Sequence, residues 1–208
     1  MSFRVFAFDT ETTGKVDFQA DYKAPKQPDL IQLGFKLISM ENDGKYETLY
    51  EVGVLVDTSN LDPKRMWAIE PEAQNVHGIS AEMVHDFGIN PARAMDSFCK
   101  WMGHSDVIIA HNIQFDIRIM QTFAYRSQYS PGLFEDRPRY CTMTNSTNIC
   151  KIPHPRGYGF KWPSLKEAYG MLVKPEGFGN AHNALADVNA CIEVFSYHVR
   201  NGLYVAGK

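Results

Sequence analysis

Several sequence features that would mark particular classes of protein are scarce or absent in this chain of 208 residues. Its four cysteines form neither a CxxC pair nor the cysteine and histidine spacing of a zinc site, so we expect reduced thiols and no disulfide framework. No apolar run approaches the roughly 18 residues of a membrane span. Basic residues are not in excess, because 21 Lys and Arg against 24 Asp and Glu give a net charge of −3. This balance argues against a protein that coats nucleic acid nonspecifically.

Internal repeats and low-complexity tracts are also absent, and the hydrophobic content of 44% is enough for one sizeable core. We therefore expect a single domain over residues 1–208. The first apolar stretch is interrupted by Arg4 and Asp9, which argues against a signal peptide. These features predict a soluble, cytoplasmic protein without a membrane segment.

Two acidic residues stand out at residues 8–14, FDTETTG, where an apolar stretch that begins at Phe3 ends. Alternate side chains of a strand share a face, so Asp9 and Glu11 are expected to project together. Two adjacent carboxylates repel each other and resist desolvation, which makes a divalent cation their natural partner. This segment therefore predicts half of a metal site.

Two later segments offer the other half: HNIQFD at residues 111–116 and HNALAD at residues 182–187. The ordered set resembles the DEDD superfamily of 3′-5′ exonucleases, whose pattern is an FDxET segment, an NxxFD segment and a final HxxxxD segment. His182 lies five residues before Asp187, which places the resemblance in the DEDDh branch. That branch includes the proofreading subunits of bacterial replicative polymerases. The resemblance runs from residue 3 to about residue 198.

The resemblance implies a two-metal hydrolase that releases nucleoside 5′-monophosphates from the 3′ end of a single strand, with DNA favoured over RNA. Two divalent ions, Mg²⁺ or Mn²⁺, would be bridged by Asp9. Glu11 and Asp187 would hold one ion, and Asp116 the other. His182 would be the general base, a role that suits a side chain whose ordinary pKa is near 6.5. A polymerase or repair partner is also implied.

Substrate contacts are predicted at five positions that flank these motifs. Thr10 and Thr12 lie beside the acids, where the family receives the terminal nucleotide, and Asn112 belongs to the NxxFD segment. His77 lies in NVHGI, which resembles a pocket-lining segment of polymerase-associated members; a loop histidine packed on the sheet is the alternative. Phe115 would either stack on a base or belong to the core.

The pattern of apolar residues predicts strands at 3–9, 29–40, 47–56, 106–110 and 139–143, with a hairpin turn at 41–45. Helices are predicted from Pro91, around Asp116, after Ser164 and over 185–199. Five residues of helix rotate by about 500°, so His182 and Asp187 would face different sides of one helix, and His182 is expected to precede it. The order fits an α/β, ribonuclease H-like fold with a mixed five-stranded sheet flanked by helices.

One loop and two rival functions remain open. Residues 151–162 interleave basic and aromatic side chains and are interpreted either as a single-strand binding loop or as a surface loop with Trp162 in the core. An RNA-trimming exonuclease or oligoribonuclease would use the same five site residues. A non-catalytic nucleic-acid-binding module would be expected to lack some of them.

Overall fold

A mixed five-stranded sheet forms the centre of the computed structural model, which describes residues 2–62 and 66–207. Its strands are β1 (Ser2–Thr12), β2 (Leu30–Glu41), β3 (Tyr46–Leu55), β4 (Val107–Ala110) and β5 (Arg139–Cys141), in the spatial order β3-β2-β1-β4-β5. Strands β1, β2 and β3 are antiparallel neighbours, whereas β4 and β5 run parallel to β1. The predicted mixed sheet is confirmed.

Seven helices are present in the described part of the chain. They are α1 (Pro71–His77), α2 (Ala81–Phe87), α3 (Pro91–Met102), α4 (Ile113–Arg126), α5 (Thr142–Cys150), α6 (Leu165–Leu172) and α7 (Ala184–Arg200). One face of the sheet packs against α3 and α4, and the other face packs against α7. No helix within the described ranges is long and apolar enough to cross a membrane.

The alternation of side chains along β1 decides which residues meet which helix. Phe6 and Phe8 belong to the core formed with α3 and α4, whereas Val5 and Ala7 belong to the core formed with α7. Because side chains alternate along a strand, Asp9 and Glu11 continue the α7 side and Thr10 continues the α4 side. Both acids therefore end up on the face that α7 covers.

Local signals in the sequence place several element ends. The predicted turn between β2 and β3 contains Gly44 at φ 81°, a left-handed conformation that favours glycine. Helix α3 starts at Pro91 after Asn90, whose side chain accepts a hydrogen bond from the backbone of Ala92. The predicted capping box of Ser164 and Glu167 starts α6.

One prediction about an element was wrong, and two helices were not predicted. Strand β5 ends at Cys141, and residues 142–143, predicted as its end, start helix α5 instead. The buried face of α5 consists of Thr142, Ser146 and Cys150, so its four-residue repeat is largely polar and gives no apolar periodicity. Helices α1 and α2 were not predicted, because they are short and together bury only Val84.

Candidate active site

The acids of β1 meet the start of α7 at the C-terminal end of the strand. Side-chain atoms of Glu11, His182 and Asp187 that could bind a metal all lie within 4.8 Å of one another. Asp187 lies in the first turn of α7, and Glu11 is near the end of β1. Residues 171 or more positions apart in sequence thus converge on one small region.

Two residues of β2 hold the start of α7 against these acids. Gly34 pairs with Asp9 and Gln32 pairs with Glu11 across the two strands. A Cβ atom at Gly34 would lie only 2.5 Å from the backbone carbonyl carbon of Ala184, so the helix approaches the strand here without an intervening side chain. The Gln32 Oε1 atom accepts a hydrogen bond from the Ala184 backbone N–H at 2.8 Å. Sequence reasoning missed both residues, although a glycine within an apolar strand signals a close approach.

We expect Gly34→Ala to reduce exonuclease activity by about 10- to 100-fold, because the added methyl group must push the start of α7, and Asp187 with it, away from Asp9. The measurement is kcat/KM together with Tm. Gly170→Ala is the matched control, since a Cβ atom there would have no neighbouring atom closer than 4.0 Å. Equal activity of Gly34→Ala and the wild type would contradict this role of Gly34.

The fourth acid, Asp116, comes from the other side of the sheet. It lies in the first turn of α4 and is only 2% exposed. Its Oδ1 atom accepts a hydrogen bond from the Thr10 hydroxyl at 2.8 Å. Asn112, immediately before α4, has φ 70°, a left-handed conformation that asparagine tolerates better than most residues. The prediction of Asp116 in the first turn of a helix is confirmed.

All four carboxyl groups resist ionisation in the absence of cations. Burial raises the pKa of Glu11 to about 9, and the negative charges of Asp9 and Asp187 add to this effect. Burial likewise raises the pKa of Asp9 and of Asp116 well above the ordinary range, with further contributions from neighbouring acids. The pKa of Asp187 is also raised by burial. Carboxylates gathered in this way favour a compensating positive charge.

The oxygens of Asp187 indicate where that charge fits. Its Oδ2 atom accepts a hydrogen bond from the His182 backbone N–H at 3.2 Å. Its Oδ1 atom is buried and has no hydrogen-bond partner among the described residues. A buried carboxylate oxygen without a partner is costly, and carboxylate oxygens are the ligands of hard divalent cations such as Mg²⁺. The donor set present here therefore fits a divalent cation.

His182 lies in the loop before α7, as predicted, because the helix starts at Ala184 with Asn183 as its N-cap. The histidine has φ 67°, and its side chain is exposed. The loop is in contact with the body of the protein through Phe178, whose ring lies 5.2 Å from that of Tyr169. The exposed imidazole thus lies beside the carboxylates while its backbone is bonded to one of them.

A cavity of about 300 Å³ opens beside Glu11. Its lining includes three residues predicted to contact substrate, Thr12, His77 and Phe115, together with Val76, which sequence reasoning did not single out. Phe115 also packs partly against the core. It therefore has surface available for a base and also belongs to the core, the two interpretations given from the sequence. The wall is largely apolar, which suits the face of a nucleobase or a sugar ring.

Three of the predicted contact residues already have protein partners. Thr10 is buried and hydrogen-bonded to Asp116, and the Thr12 hydroxyl donates to the Gly14 carbonyl at 2.7 Å. His77 is the last residue of α1 and not a loop residue; its Nε2 bonds the Thr12 carbonyl and its Nδ1 accepts from the Ile79 N–H. Asn112, in contrast, makes no side-chain hydrogen bond within the described residues.

Comparison with known proteins agrees with this arrangement. The family model described as Exonuclease (RNase_T) matches residues 6–195. The matched range contains all five of the residues predicted to be catalytic. The chain belongs to the exonuclease family. The prediction of a 3′-5′ exonuclease, a phosphodiester hydrolase that resembles DEDDh enzymes, is therefore confirmed.

One relative of this exonuclease is the DNA polymerase III subunit epsilon of Salmonella typhimurium strain LT2. The two sequences are 28% identical over 197 aligned residues, and the alignment covers 92% of this chain and 70% of the relative. The solved structure of Escherichia coli exonuclease I with a 5cy-dT13 oligonucleotide has a TM-score of 0.68 at 17% identity. It is matched over 97% of this chain and 43% of its own chain, so the exonuclease described here spans less than half of that protein. A 3′-exonuclease that recognises the histone mRNA stem-loop has a TM-score of 0.67 at 11% identity, over 96% of this chain and 64% of its own. The predicted ribonuclease H-like fold class is confirmed.

Proposed function

We propose that this exonuclease removes nucleoside 5′-monophosphates from the 3′ end of single-stranded DNA with the help of two divalent cations, Mg²⁺ or Mn²⁺. The four carboxylates would hold the cations: Asp9 would be shared, Glu11 and Asp187 would hold one, and Asp116 would hold the other. The observation that carries the proposal is the buried Oδ1 atom of Asp187, which lacks a hydrogen-bond partner in the described structure, in a residue that clusters with Glu11 and His182.

His182 is the proposed general base. When bound, the cations supply positive charge that stabilises the attacking and departing oxygens of the phosphodiester. The imidazole takes a proton from the water that attacks phosphorus, the bond from phosphorus to the 3′ oxygen of the preceding nucleotide breaks, and that oxygen takes a proton from solvent. The products are a nucleoside 5′-monophosphate and a strand with a new 3′-hydroxyl. Because His182 is exposed, it can return the proton directly to solvent.

The cavity beside Glu11 is the proposed site for the terminal nucleoside. Phe115 and Val76 offer apolar surface for a base or sugar. His77 would contribute the face of its ring, since both of its nitrogens are bonded to backbone groups. The side-chain amide of Asn112 would donate to a phosphate or sugar oxygen. Thr10 would act through Asp116, which it holds in place, and Thr12 would shape the cavity wall through its backbone.

The proposal of DNA over RNA is supported by relatives alone. The Salmonella relative is a subunit of a DNA polymerase, and the solved exonuclease I complex contains a thymidine oligonucleotide. On the same grounds we propose that residues 1–208 act as a single exonuclease domain, in the cytoplasm, with a polymerase or repair partner. RNA trimming is the other outcome that the test below distinguishes.

Digestion of matched 5′-labelled single-stranded DNA and RNA with Mg²⁺ or Mn²⁺ tests this proposal. We expect a ladder that shortens from the 3′ end, faster on DNA than on RNA, and no ladder with Asp9→Ala. Faster digestion of RNA would replace the DNA assignment by RNA trimming. A folded protein that shortens neither polymer would favour a non-catalytic binding module.

A further inference from the structure

The segment between α5 and α6 forms an ordered hairpin with an aromatic outer face. Pro153 and Phe160 form a β-bridge, and the Lys161 N–H donates to the Ile152 carbonyl at 3.0 Å. Gly157 and Gly159, at the tip, both have positive φ. We call residues 152–162 the aromatic hairpin.

Three large aromatic side chains of this hairpin are exposed to solvent. Tyr158 is 75% exposed, Phe160 42% and Trp162 66%, which shows that the predicted alternative with Trp162 in the core was wrong. The intervening Lys161 is instead half-buried and forms an ion pair with Glu167 of α6. Side chains at alternate positions share a face, so Phe160 and Trp162 project outward together. Aromatic surface gathered in this way is typical of an interaction site.

The charge of the segment selects its partner. Residues 151–162 contain Lys151, Arg156 and Lys161 and no acidic residue, in a chain whose net charge is −3. Neither Lys151 nor Arg156 has an ion-pair partner in the part of the chain that the structure describes. Basic side chains between exposed rings complement the phosphates and bases of a single strand. A lipid surface or an acidic peptide would be complemented in charge as well, but a nucleic-acid strand presents a flat ring with every phosphate, which matches the alternation of rings and basic side chains here.

The base of the hairpin is fixed at the active-site edge of the sheet. His111 Nε2 bonds the Pro163 carbonyl at 3.0 Å, and His111 Nδ1 bonds the Thr142 hydroxyl at 2.9 Å. Burial lowers the pKa of His111 to about 4, so this anchor is uncharged at neutral pH. Strands β1 and β4 are parallel with Ala7 opposite Ile109, and Asp9 and His111 each come two residues later. The hairpin therefore leaves the protein body beside the proposed catalytic acids.

We propose that the aromatic hairpin is a stacking surface for the part of a single-stranded substrate that lies upstream of the cleaved 3′ end. This inference rests on the proposed exonuclease function. It predicts that the enzyme cleaves longer strands with a higher kcat/KM than very short ones. Bases stack on Trp162 and Tyr158, and Lys151 and Arg156 bind the adjoining phosphates. Because every base has an aromatic face, the contact is tolerant of sequence.

The kinetic test compares oligodeoxythymidines of two and about twenty nucleotides. We expect Trp162→Ser to lower the ratio of kcat/KM for the long strand to that for the short strand by about 10-fold, the scale of one lost stacked base. Trp162→Phe, which keeps a ring, should retain most of the ratio. The control is Phe87→Ser, since Phe87 is 72% exposed on α2, which contacts β3 at the edge of the sheet opposite β5. An unchanged ratio in Trp162→Ser would overturn the proposal.

A binding test separates this inference from the proposed function. Asp9→Asn protein without metal is titrated with the long oligonucleotide while tryptophan fluorescence is recorded. We expect the oligonucleotide to quench the tryptophan fluorescence of Asp9→Asn and not that of the double variant Asp9→Asn/Trp162→Phe. This result is expected even if the wild type cleaves nothing. Absence of quenching, or a fluorescence change with phosphatidylserine vesicles and none with the oligonucleotide, would overturn the stacking surface whether or not the enzyme is active.

Discussion

Replacing Asp9 by Asn is expected to lower kcat/KM by about 10³-fold or more, which corresponds to about 4 kcal/mol of transition-state stabilisation. Asp9 lies on β1 opposite Gly34 and interacts electrostatically with both Asp116 and Asp187. As the proposed shared ligand, it would affect both cations at once. The measurement is digestion of a labelled single strand with Mg²⁺. Asp86→Asn, an exposed acid on α2, is the control and should retain full activity.

The same substitution should stabilise the protein when metal is absent. Burial favours the neutral form of these acids, so their raised pKa values make the folded state less stable as pH rises. For Glu11 this loss begins near its unfolded pKa of about 4 and is complete above its folded pKa of about 9. Removing the Asp9 charge lowers the repulsion between these acids and so reduces this loss of stability. After allowance for screening by water, we expect about 1 kcal/mol, or a Tm increase of about 2 to 4 °C.

Thermal unfolding in EDTA at pH 5 and pH 8 measures this effect. The gain of Asp9→Asn over the wild type should be larger at pH 8 than at pH 5. Added Mg²⁺ should raise the Tm of the wild type and raise that of Asp9→Asn much less. A variant that is less stable than the wild type in EDTA at pH 8 would contradict the account of repelling, desolvated carboxylates.

Sequence reasoning succeeded where a signal is local. Alternation along β1 places Asp9 and Glu11 on one face, and the structure puts α7 over that face. The rotation of a helix places His182 outside α7, where it lies. Capping residues mark the starts of α3 and α6. In each case, elementary geometry of a few neighbouring residues was sufficient.

The remaining features depend on contacts between distant residues. Gln32 bonds the start of α7 across 152 positions of sequence, and Thr10 bonds Asp116 across 106. Neither pair has a local pattern that identifies its partner. That the three acidic motifs form one site was predicted by the family resemblance and not by periodicity. Helix α5 shows the same limit, because its polar inner face is recognisable only once its neighbours are known.

His182→Asn is expected to reduce kcat by about 10² to 10⁴-fold, the usual contribution of a general base. Asparagine suits this position because it tolerates the φ of 67°, and the backbone N–H that bonds Asp187 is kept. The imidazole is exposed, so its loss should change Tm very little. The measurement is kcat on a labelled single strand with Mg²⁺, together with Tm.

The Mg²⁺-induced increase in Tm distinguishes a base from a metal ligand at this position. Because the His182 side chain lies within 4.8 Å of the Glu11 and Asp187 ligand atoms, it could in geometry serve either role. A base can be removed without weakening cation binding, so the Mg²⁺-dependent increase should be the same in His182→Asn and in the wild type. His104→Asn, an exposed histidine beyond α3, serves as the control for both activity and Tm. If the Mg²⁺-dependent increase in Tm were lost in His182→Asn, His182 would be a metal ligand. If kcat were unchanged in this variant, another group would be the base.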